Sequence, residues 1–500
     1  MILELAAEQP DALALSDDLG GRRTRSELVD RATRLGHALR DDLGVGVGGH
    51  LAVLTDNRVE VFEIYLAAVL SGVWFVPVNG LLAPHEVDYV VRDADARLVL
   101  AEPDLAHLVP DGVRVIEIGP ELDELIEAAS AEPFPLAGPP GSRFSYTSGT
   151  TGHPKGVKRA VPATLAEMLA LQQRLGHQVG FDGDGTQLVT GPAYHAAVGG
   201  YGFFDLCNGA HLHLMRRFDA ARTLDLIDEL DVRRTHLVPT MMVRMLRLPD
   251  ERRAAFDPSR LAAVLHGAAP ISPSVKQRMI DWFGPILTEY WGTSEAGVFT
   301  RVDSDDWRAN PGTVGRSVTG FAVFSVDDDG QRLPAGEVGT LYCHTPGQDR
   351  PFEYWNAPEK TEAAYLEPGV FSLGDMGRVD EAGWVYLADR ATNMIISGGV
   401  NIYPTEVEQA LLDHPSVVDV AVFGIPDEEW GEQVKAAVEL IGGSDESTVD
   451  DLLEFARGRL GRHKVPRSVD VHDTLPRQPN GKLYVRELRD PYWVGQERSI

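Results

Sequence analysis

The sequence Tyr146-Thr-Ser-Gly-Thr-Thr-Gly-His-Pro-Lys-Gly-Val157 combines three glycines and four Ser or Thr hydroxyls with one lysine, Lys155. Glycine lets the backbone approach a ligand closely, and successive backbone N–H groups in such a loop form a concave anion site. The hydroxyls add donors, and the Lys155 ammonium adds a mobile positive charge suited to phosphate. The stretch therefore predicts a loop that holds a polyphosphate, in preference to a solvated turn rich in Gly and Thr.

This loop is not a Walker A motif, in which Gly-Lys is followed by Ser or Thr so that the hydroxyl reaches Mg²⁺. Lys155 instead follows Pro154 and precedes Gly156. The string resembles the phosphate-binding signature of the adenylate-forming superfamily, which includes acyl-CoA synthetases, adenylation domains and firefly luciferase. The resemblance implies ATP binding. It gives Thr147 a catalytic and Mg²⁺-binding role, and it assigns phosphate contacts to Ser148, Gly149, Thr150, Thr151, Gly152 and Lys155.

Length and composition limit the classes of protein to consider. A chain of 500 residues is too long for one hydrophobic core, which predicts two or more domains. The net charge of −29 disfavours nucleic-acid binding and adsorption to anionic membranes. Cys207 and Cys343 are the only cysteines, so no disulfide framework is expected and a reducing cytoplasm is favoured. The oligomeric state is left open, with a homodimer among the options.

One uncharged run, from Ile64 to Pro84, is long enough to span a membrane. It contains Pro77 and Asn79-Gly80, so a helix ending at Gly72 followed by a buried strand explains it better. No basic region precedes an apolar stretch at the N-terminus. We therefore expect neither a signal peptide nor an integral membrane segment.

Alternating strands and helices indicate an α/β N-terminal part. Leu51 to Leu54 and Val73 to Pro77 have the pattern of buried strands, and the helix between them carries Phe62 on its apolar face. That order predicts a parallel βαβ unit. Beyond about Gly320 the pattern changes to antiparallel strands with turns.

The resemblance implies two domains of unequal size. Residues 1–390 are expected to form α/β layers plus a distorted β-barrel that bind ATP and the acid. Residues 391–500 are expected to form a small, mobile α+β domain, which agrees with their strand and helix patterns. The hinge would lie near Thr392, where the superfamily more often has Asp or Lys.

The second informative stretch is Glu289-Tyr-Trp-Gly-Thr-Ser-Glu-Ala-Gly297. By itself it suits an aromatic core strand that ends in a turn. It resembles the superfamily's aromatic-Gly-x-Thr-Glu motif, with Ser294 where Thr is common. The resemblance makes Glu295 a catalytic carboxylate that binds Mg²⁺, an ion usually held by one or two carboxylates plus phosphate oxygens. It also implies an adenine slot with Trp291 on one side and Gly267, Ala268 and Ala269 on the other, a phosphate contact from the Ser294 hydroxyl, and further nucleotide contacts from Tyr290, Gly292 and Thr293.

Two further motifs concern the ribose and the thiol. Gly374-Asp-Met-Gly377 alone would be an ordinary turn. In the superfamily the residue matching Asp375 grips both ribose hydroxyls, and the one matching Arg390 contacts ribose and phosphate. The stretch from Met394 to Glu408 resembles the loop lining the pantetheine tunnel, and the stretch from Gly424 to Glu432 matches acyl-CoA synthetases. Contacts with coenzyme A are therefore predicted for Ser397, Gly398, Gly399, Trp430 and Lys464.

Lys482 follows Leu475-Pro-Arg-Gln-Pro-Asn-Gly near the C-terminus. Most surface lysines have no specific role, but this one matches the superfamily's catalytic lysine. Its ammonium would bridge the attacking carboxylate and the α-phosphate, which neutralises charge where it develops. The resemblance extends from about Leu13 to Leu488, with the diagnostic motifs in order.

The acid is expected between the adenine slot and Pro192-Ala-Tyr-His195, the superfamily's Pro-aromatic-His segment. His195 is a catalytic candidate, and a satisfied core histidine is the plain alternative. No basic residue in the expected pocket would pair with a second carboxylate, although Arg244 is near in sequence. A hydrophobic monocarboxylic acid is favoured, either a medium- or long-chain fatty acid or a terpenoid- or steroid-like polycyclic acid, with an aryl carboxylate as the alternative. The predicted substrate contacts are Tyr194, His195, Val198, Gly199, Thr240 and Met241.

The resemblance implies an ATP-dependent acid–thiol ligase that uses ATP, Mg²⁺ and coenzyme A and releases AMP and pyrophosphate. The small domain would alternate between the two half-reactions. The alternatives are transfer to a carrier protein, a luciferase-like oxygenase and a nucleotide-binding protein that has lost catalysis. The presence of the whole candidate set argues against that loss, namely Lys155, Glu295, Asp375, Arg390 and Lys482.

Overall fold

The computed structural model describes residues 2–147, 154–390, 393–441, 446–478 and 481–494. The phosphate-loop residues Ser148, Gly149, Thr150, Thr151 and Gly152 and the hinge position Thr392 lie outside these ranges, and the roles assigned to them stay predictions. None of the helices within the ranges is long and apolar enough to cross a membrane.

A seven-stranded sheet forms one layer of the N-terminal part. Its strands are His50–Leu54, Trp74–Val78, Ala96–Ala101, Arg114–Glu117, Ser142–Thr147, Lys155–Arg159 and Phe352–Tyr354. The first five are parallel, and the last two join the edge antiparallel. The associated helices are Val59–Ser71, Pro84–Asp93, the 3₁₀ helix Pro103–Leu108 and Pro120–Ala128.

The predicted βαβ unit is confirmed, because His50 pairs with Trp74 in parallel across the connecting helix Val59–Ser71. Every residue of that helix except Glu60 is buried. The helix ends where Gly72 adopts a φ of 81°, a left-handed conformation that glycine takes without a Cβ penalty. The uncharged run is thus a core helix followed by a core strand.

A nine-stranded sheet forms the second layer. Its strands are Leu13–Asp17, Arg22–Thr24, Thr186–Val189, His211–Leu214, Val232–Leu237, Ala263–His266, Leu287–Thr293, Gly297–Asp303 and Arg316–Ser317. The helices of this part are Ile2–Glu8, Arg25–His37, the π-helix Ala38–Asp42, Leu165–Val179, Ala196–Asn208, Ala220–Glu229, Pro239–Leu246, Asp250–Ala255, the 3₁₀ helix Pro258–Arg260, Pro273–Phe283 and Ser304–Ala309.

The predicted antiparallel region is a five-stranded sheet. It is built from Ala322–Val326, Gly339–His344, Tyr365–Glu367, Val370–Val379 and Val385–Arg390, with the helix Pro358–Ala364 beside it. Its last two strands pair Asp375 with Arg390, so two predicted nucleotide contacts face each other across the ladder.

The C-terminal part has its own sheet and its own hydrophobic core. Its strands are Ile395–Ser397, Val400–Ile402, Val417–Asp427, Gly431–Leu440 and Ser468–His472. Its helices are Pro404–Leu412, Glu446–Arg457, Val485–Arg489 and the 3₁₀ helix Asp490–Trp493. The two central strands, Val417–Asp427 and Gly431–Leu440, continue into a hairpin around Trp430.

Direct contacts seat the C-terminal part on the N-terminal part. Arg247 donates to the carbonyl oxygens of Val417 and Val418 at 2.9 and 2.8 Å. Asp389 accepts from the backbone N–H and the hydroxyl of Thr405 at 2.9 and 2.8 Å. These bonds fix the orientation in which the C-terminal loop meets the cavity described below.

A buried ion pair supports the second layer and gives a stability prediction. Lys276 Nζ lies 2.6 Å from Glu289 Oε2, and the Lys276 side chain is fully buried. Lys276→Met leaves the Glu289 carboxylate buried without its cation, so we expect it to lower the free energy of unfolding by about 3–5 kcal/mol. Urea unfolding followed by a probe of this layer measures the change.

Two variants interpret that measurement. Arg278→Met, an exposed site in the same helix, should change stability by less than about 0.5 kcal/mol. Adding Glu289→Leu to Lys276→Met should restore most of the loss, because it removes the unpaired charge. If Lys276→Met alone were as stable as the wild-type protein, the Lys276–Glu289 pair would not be the stabilising buried ion pair described here.

Candidate active site

A cavity of about 1530 Å³ lies where the two parts of the chain meet. Most of the predicted site residues that the structure describes line it: Thr147, Lys155, Tyr194, His195, Thr240, Ala268, Ala269, Tyr290, Trp291, Gly292, Thr293, Ser294, Glu295, Asp375, Arg390 and Lys482. These residues come from all four sheets or their connections, so the fold assembles what the sequence keeps hundreds of positions apart.

The ends of the phosphate loop face each other at the cavity. Thr147 pairs with Lys155 across the hairpin whose tip is the loop. Lys155 Nζ lies 5.0 Å from the centroid of the Tyr354 ring, and the Tyr354 hydroxyl donates to Glu295 at 3.2 Å. Burial, followed by the charge of Lys360, lowers the pKa of Lys155. Lys155 and the predicted Mg²⁺ carboxylate, Glu295, thus lie on either side of Tyr354 in the cavity wall.

Asp375 is held in place by both of its oxygens. Trp291 Nε1 donates to one at 3.1 Å, and Arg390 Nε donates to the other at 3.2 Å. Burial raises the pKa of Asp375, and the Arg390 charge opposes that shift. Each carboxylate oxygen has further acceptor capacity, so the group can still receive two hydroxyls of a vicinal diol.

Two glycines are required by close packing beside the predicted adenine slot. A Cβ on Gly267 would lie 2.6 Å from the Tyr290 carbonyl oxygen, and one on Gly292 would lie 2.2 Å from the Gly297 carbonyl oxygen. Gly267 is not itself a lining residue, but the next residue, Ala268, has a φ of 65° and lines the cavity. The slot's shape therefore depends on backbone contacts that any side chain would break.

Lys482 reaches the cavity from the C-terminal part. Burial, then the Arg390 charge, lowers the pKa of Lys482 to about 8, while Glu295 opposes the shift. The preceding Gly481 rests against Thr240, since a Cβ there would lie 2.8 Å from the Thr240 hydroxyl. Lys482 therefore lines the same cavity as the predicted ATP contacts, while its side chain remains exposed to solvent.

Arg477 is a supporting residue that the sequence reasoning missed. It donates Nη1 to the Gly481 carbonyl oxygen at 2.7 Å and Nη2 to Asp419 at 2.8 Å. This arrangement ties the Lys482 loop to the sheet of the C-terminal part. Arg477 stands inside the quoted motif, but its side-chain partner is distant in sequence.

The predicted acid contacts divide into two groups. Tyr194, His195 and Thr240 line the cavity, and burial, then the charges of Arg143 and Lys482, lowers the pKa of His195 to about 4. Val198, Gly199 and Met241 are buried in packed regions and are not among the described residues that line the cavity. The helix Leu165–Val179 supplies wall residues that the sequence reasoning missed: Met168, Leu171, Gln172, Leu175 and Val179.

The predicted coenzyme A contacts lie apart from this cavity. Ser397, Gly398 and Gly399 form the turn between two short strands, and the Gly398 N–H donates to the Trp430 carbonyl oxygen at 2.8 Å. Lys464 pairs with Glu406 at 2.7 Å. In the described part of the chain, none of Ser397, Gly398, Gly399, Trp430 and Lys464 belongs to the cavity wall.

The donor set fits a magnesium ion that is held mainly by its ligand. Within the described ranges no cluster of three or more His, Cys, Asp or Glu side chains could hold a metal by itself. Glu295 and Thr147 nevertheless place one carboxylate and one hydroxyl at the cavity. Mg²⁺ commonly takes one or two carboxylates and completes its coordination with phosphate oxygens and water.

The layered N-terminal part, the small α+β part and the lysine at the cavity between them define the class of adenylate-forming enzymes. The chain belongs to the family described as AMP-binding enzyme, whose model matches residues 3–350. The model for the AMP-binding enzyme C-terminal domain matches residues 406–482. The family and the fold predicted from the motifs are thus confirmed.

Two curated relatives show the range of activities at this level of similarity. The fatty acid–[acyl-carrier-protein] ligase ScoC of Streptomyces coeruleorubidus is 32% identical over 96% of this chain and 94% of its own length. The medium/long-chain-fatty-acid–CoA ligase FadD8 of Mycobacterium tuberculosis is also 32% identical, over 96% of this chain and 87% of its own length.

One solved relative bears on the arrangement of the two parts. ATP-bound MatB from Rhodopseudomonas palustris, 28% identical, matches with a TM-score of 0.84 over 98% of each chain. The apo structure of MatB matches with a TM-score of 0.73 over 97% of this chain and 96% of that one. The arrangement seen here is therefore more similar to the ATP-bound form.

Proposed function

We propose that the protein is an AMP-forming ligase that activates a carboxylic acid as its adenylate and transfers the acyl group to coenzyme A. The observation that carries the proposal is that Lys482 lines one cavity together with Lys155, Glu295, Asp375 and Arg390. The closer similarity to an ATP-bound relative supports reading this arrangement as the one that performs adenylation.

In the first half-reaction an oxygen of the acid attacks the α-phosphorus of ATP, and the bond from that phosphorus to the pyrophosphate oxygen breaks. Lys482 offsets the negative charge that gathers between acid and phosphate. Asp375 receives the ribose hydroxyls, and Lys155 contacts the phosphates that leave. Magnesium, held by Glu295 and Thr147, would neutralise phosphate charge when bound.

In the second half-reaction the thiol attacks the acyl carbonyl carbon, the bond to the phosphate oxygen breaks, and AMP leaves. The predicted thiol contacts Gly398, Gly399 and Trp430 lie off the cavity in this arrangement. We therefore infer that residues 391–500 rotate about Thr392, which withdraws Lys482 and brings that surface to the acyl group.

We propose a hydrophobic body for the acid, of the fatty or polycyclic type, with an aryl acid as the alternative. The helix Leu165–Val179 supports this choice, because Met168, Leu171 and Leu175 present apolar surface to the cavity. Thioether and aliphatic side chains make an adaptable wall without fixed polar demands.

Half-reaction assays test the proposed function and its alternatives. Pyrophosphate exchange with a panel of acids reports adenylation, and thioester formation with coenzyme A or a carrier protein reports transfer. Exchange with transfer only to a carrier protein would favour the activity named for ScoC. No exchange with any acid would favour a nucleotide-binding protein without catalysis.

The lowered pKa of Lys482 predicts how adenylation depends on pH. The ammonium form is the active one, so kcat/KM for exchange should decrease as pH rises through about 8. Lys482→Arg should move that decrease to higher pH, since the guanidinium stays charged. A rate profile with the same alkaline limb in both proteins would contradict the assignment of that limb to Lys482.

A further inference from the structure

Two arginines occupy facing positions on adjacent strands beside the cavity. The hairpin pairs Phe144 with Lys158 in antiparallel register, which places Arg143 opposite Arg159 at the next position. Both arginines line the cavity. The strand register therefore brings two cationic side chains to the cavity from neighbouring strands.

The two guanidinium groups are satisfied to different degrees. Arg143 donates to the Ser145 hydroxyl at 3.0 Å and to the carbonyl oxygens of Ala193 and Tyr194. Arg159 makes one hydrogen bond within the described ranges, from Nη2 to the Ala296 carbonyl oxygen at 3.2 Å. Arg143 is thus a positioning residue for the segment before His195, whereas Arg159 keeps donors for a ligand.

Neither arginine has an ion-pair partner among the described residues. Burial lowers the pKa of Arg143 to about 10 and also lowers that of Arg159. The charged or titratable groups that act on Arg159 are Tyr65, Tyr201 and Glu295. A charge in such surroundings is costly unless it is paired and hydrogen-bonded. An anionic ligand would supply the missing partner.

Another part of the cavity wall is apolar. Met168, Leu171 and Leu175 present apolar surface to the same cavity. The Gln172 amide nitrogen lies 3.0 Å from Met168 Sδ, and its carbonyl oxygen is buried without a hydrogen-bond partner among the described residues. The pocket therefore suits an apolar body that ends in a polar group.

We propose that Arg159 binds a second anionic group of the acid, so that the preferred substrate carries an apolar body between two carboxylates. The proposal rests on the ligase function above, because the first carboxylate is the one activated beside Lys482. It departs from the expectation that no basic residue in the predicted pocket would pair with a second carboxylate. That expectation considered only segments near His195 and Thr240 in sequence.

The test compares monocarboxylic acids with α,ω-dicarboxylic acids of matched length in the full-length protein. Exchange gives kcat/KM, and thermal-shift titration gives affinity without turnover. We expect the wild-type protein to prefer the best dicarboxylic acid by roughly tenfold or more in both measurements. Arg159→Met should lose that preference, and Arg159→Lys should retain part of it. Removing a partly buried charge that has no ion-pair partner among the described residues should also leave Arg159→Met at least as stable.

Lys158→Met is the matched control, because it removes a cation from the same strand on the opposite face. Lys158 Nζ lies 4.0 Å from the centroid of the Trp355 ring, so the variant should keep the preference. A wild-type preference that Arg159→Met leaves intact, or no dicarboxylate binding by the wild-type protein, would overturn the proposal. Exchange with monocarboxylic acids alone would overturn it and leave the ligase function standing. Dicarboxylate binding that depends on Arg159, without exchange for any acid, would support the site and refute the ligase function.

Discussion

Lys482→Ala is expected to lower pyrophosphate exchange by roughly 10²–10³-fold, the range seen when one preorganised charge-stabilising group is removed. Lys482 lines the cavity, and the charges of Arg390 and Glu295 both act on its ammonium, so the ammonium lies where the proposed step develops charge. Alanine leaves the loop itself in place, because Arg477 holds Gly481 through its backbone. The loss should therefore be electrostatic.

The same variant should still convert a premade acyl-adenylate to the thioester at close to the wild-type rate. The reason is that the proposed rotation withdraws Lys482 before the thiol attacks. Lys482→Arg serves as the control that keeps the charge but changes its geometry, and it should recover only part of the exchange rate. Unchanged exchange in Lys482→Ala would refute the catalytic role. An equal loss in both half-reactions would indicate a structural role.

The parts of the fold that the sequence predicts well are those set by short-range patterns. The helix ending at Gly72 and the strand after it follow from local hydrophobicity and from the glycine that ends the helix with a positive φ. A side chain at position 267 or 292 would collide with neighbouring backbone, so both positions require glycine. Glycines required in this way make a motif recognisable from the sequence alone. The family assignment rests on these local constraints.

The acid pocket was predicted less well because sequence proximity does not specify a helix face. In the helix Ala196–Asn208, one face lines the cavity through Ala196, Ala197, Gly200, Tyr201 and Phe204, whereas Val198 is buried in the core. In the helix Pro239–Leu246, Thr240 likewise lines the cavity, whereas Met241 is buried in the core. Helical periodicity applied to these segments would have found this division.

The contributions of Arg159 and Arg477 depend on pairing between distant segments. Arg159 faces Arg143 only because the hairpin register places it there. Arg477 acts through Asp419, which belongs to another strand. A single sequence contains no signal for either partner, since strand register and domain seating arise from tertiary packing.

Gly398→Ala is expected to impair the other half-reaction. A Cβ at this position would lie 2.3 Å from the Trp430 ring, so the ring must move. Trp430 is 41% exposed and can swing toward solvent, which should leave the small domain folded. If Gly398 and Trp430 form the thiol-facing surface, that displacement should slow thioester formation from a premade adenylate by roughly 10²-fold. Pyrophosphate exchange should stay within about twofold, because neither residue lines the present cavity.

Gly399→Ala separates this steric effect from backbone strain. Gly399 has a φ of 78° and Gly398 a φ of 57°, so alanine is strained at both positions. A Cβ on Gly399 meets nothing within 4 Å among the described residues, in contrast to the collision at Gly398. Thioester formation should therefore remain substantially faster in Gly399→Ala than in Gly398→Ala. Equal losses in the two variants would attribute the defect to strain in the turn, and a loss of exchange in Gly398→Ala would contradict the division of labour between the two surfaces. Gly398→Ala and Lys482→Ala should thus have complementary effects. Gly398→Ala should block thioester formation and leave adenylation intact, and Lys482→Ala should do the reverse.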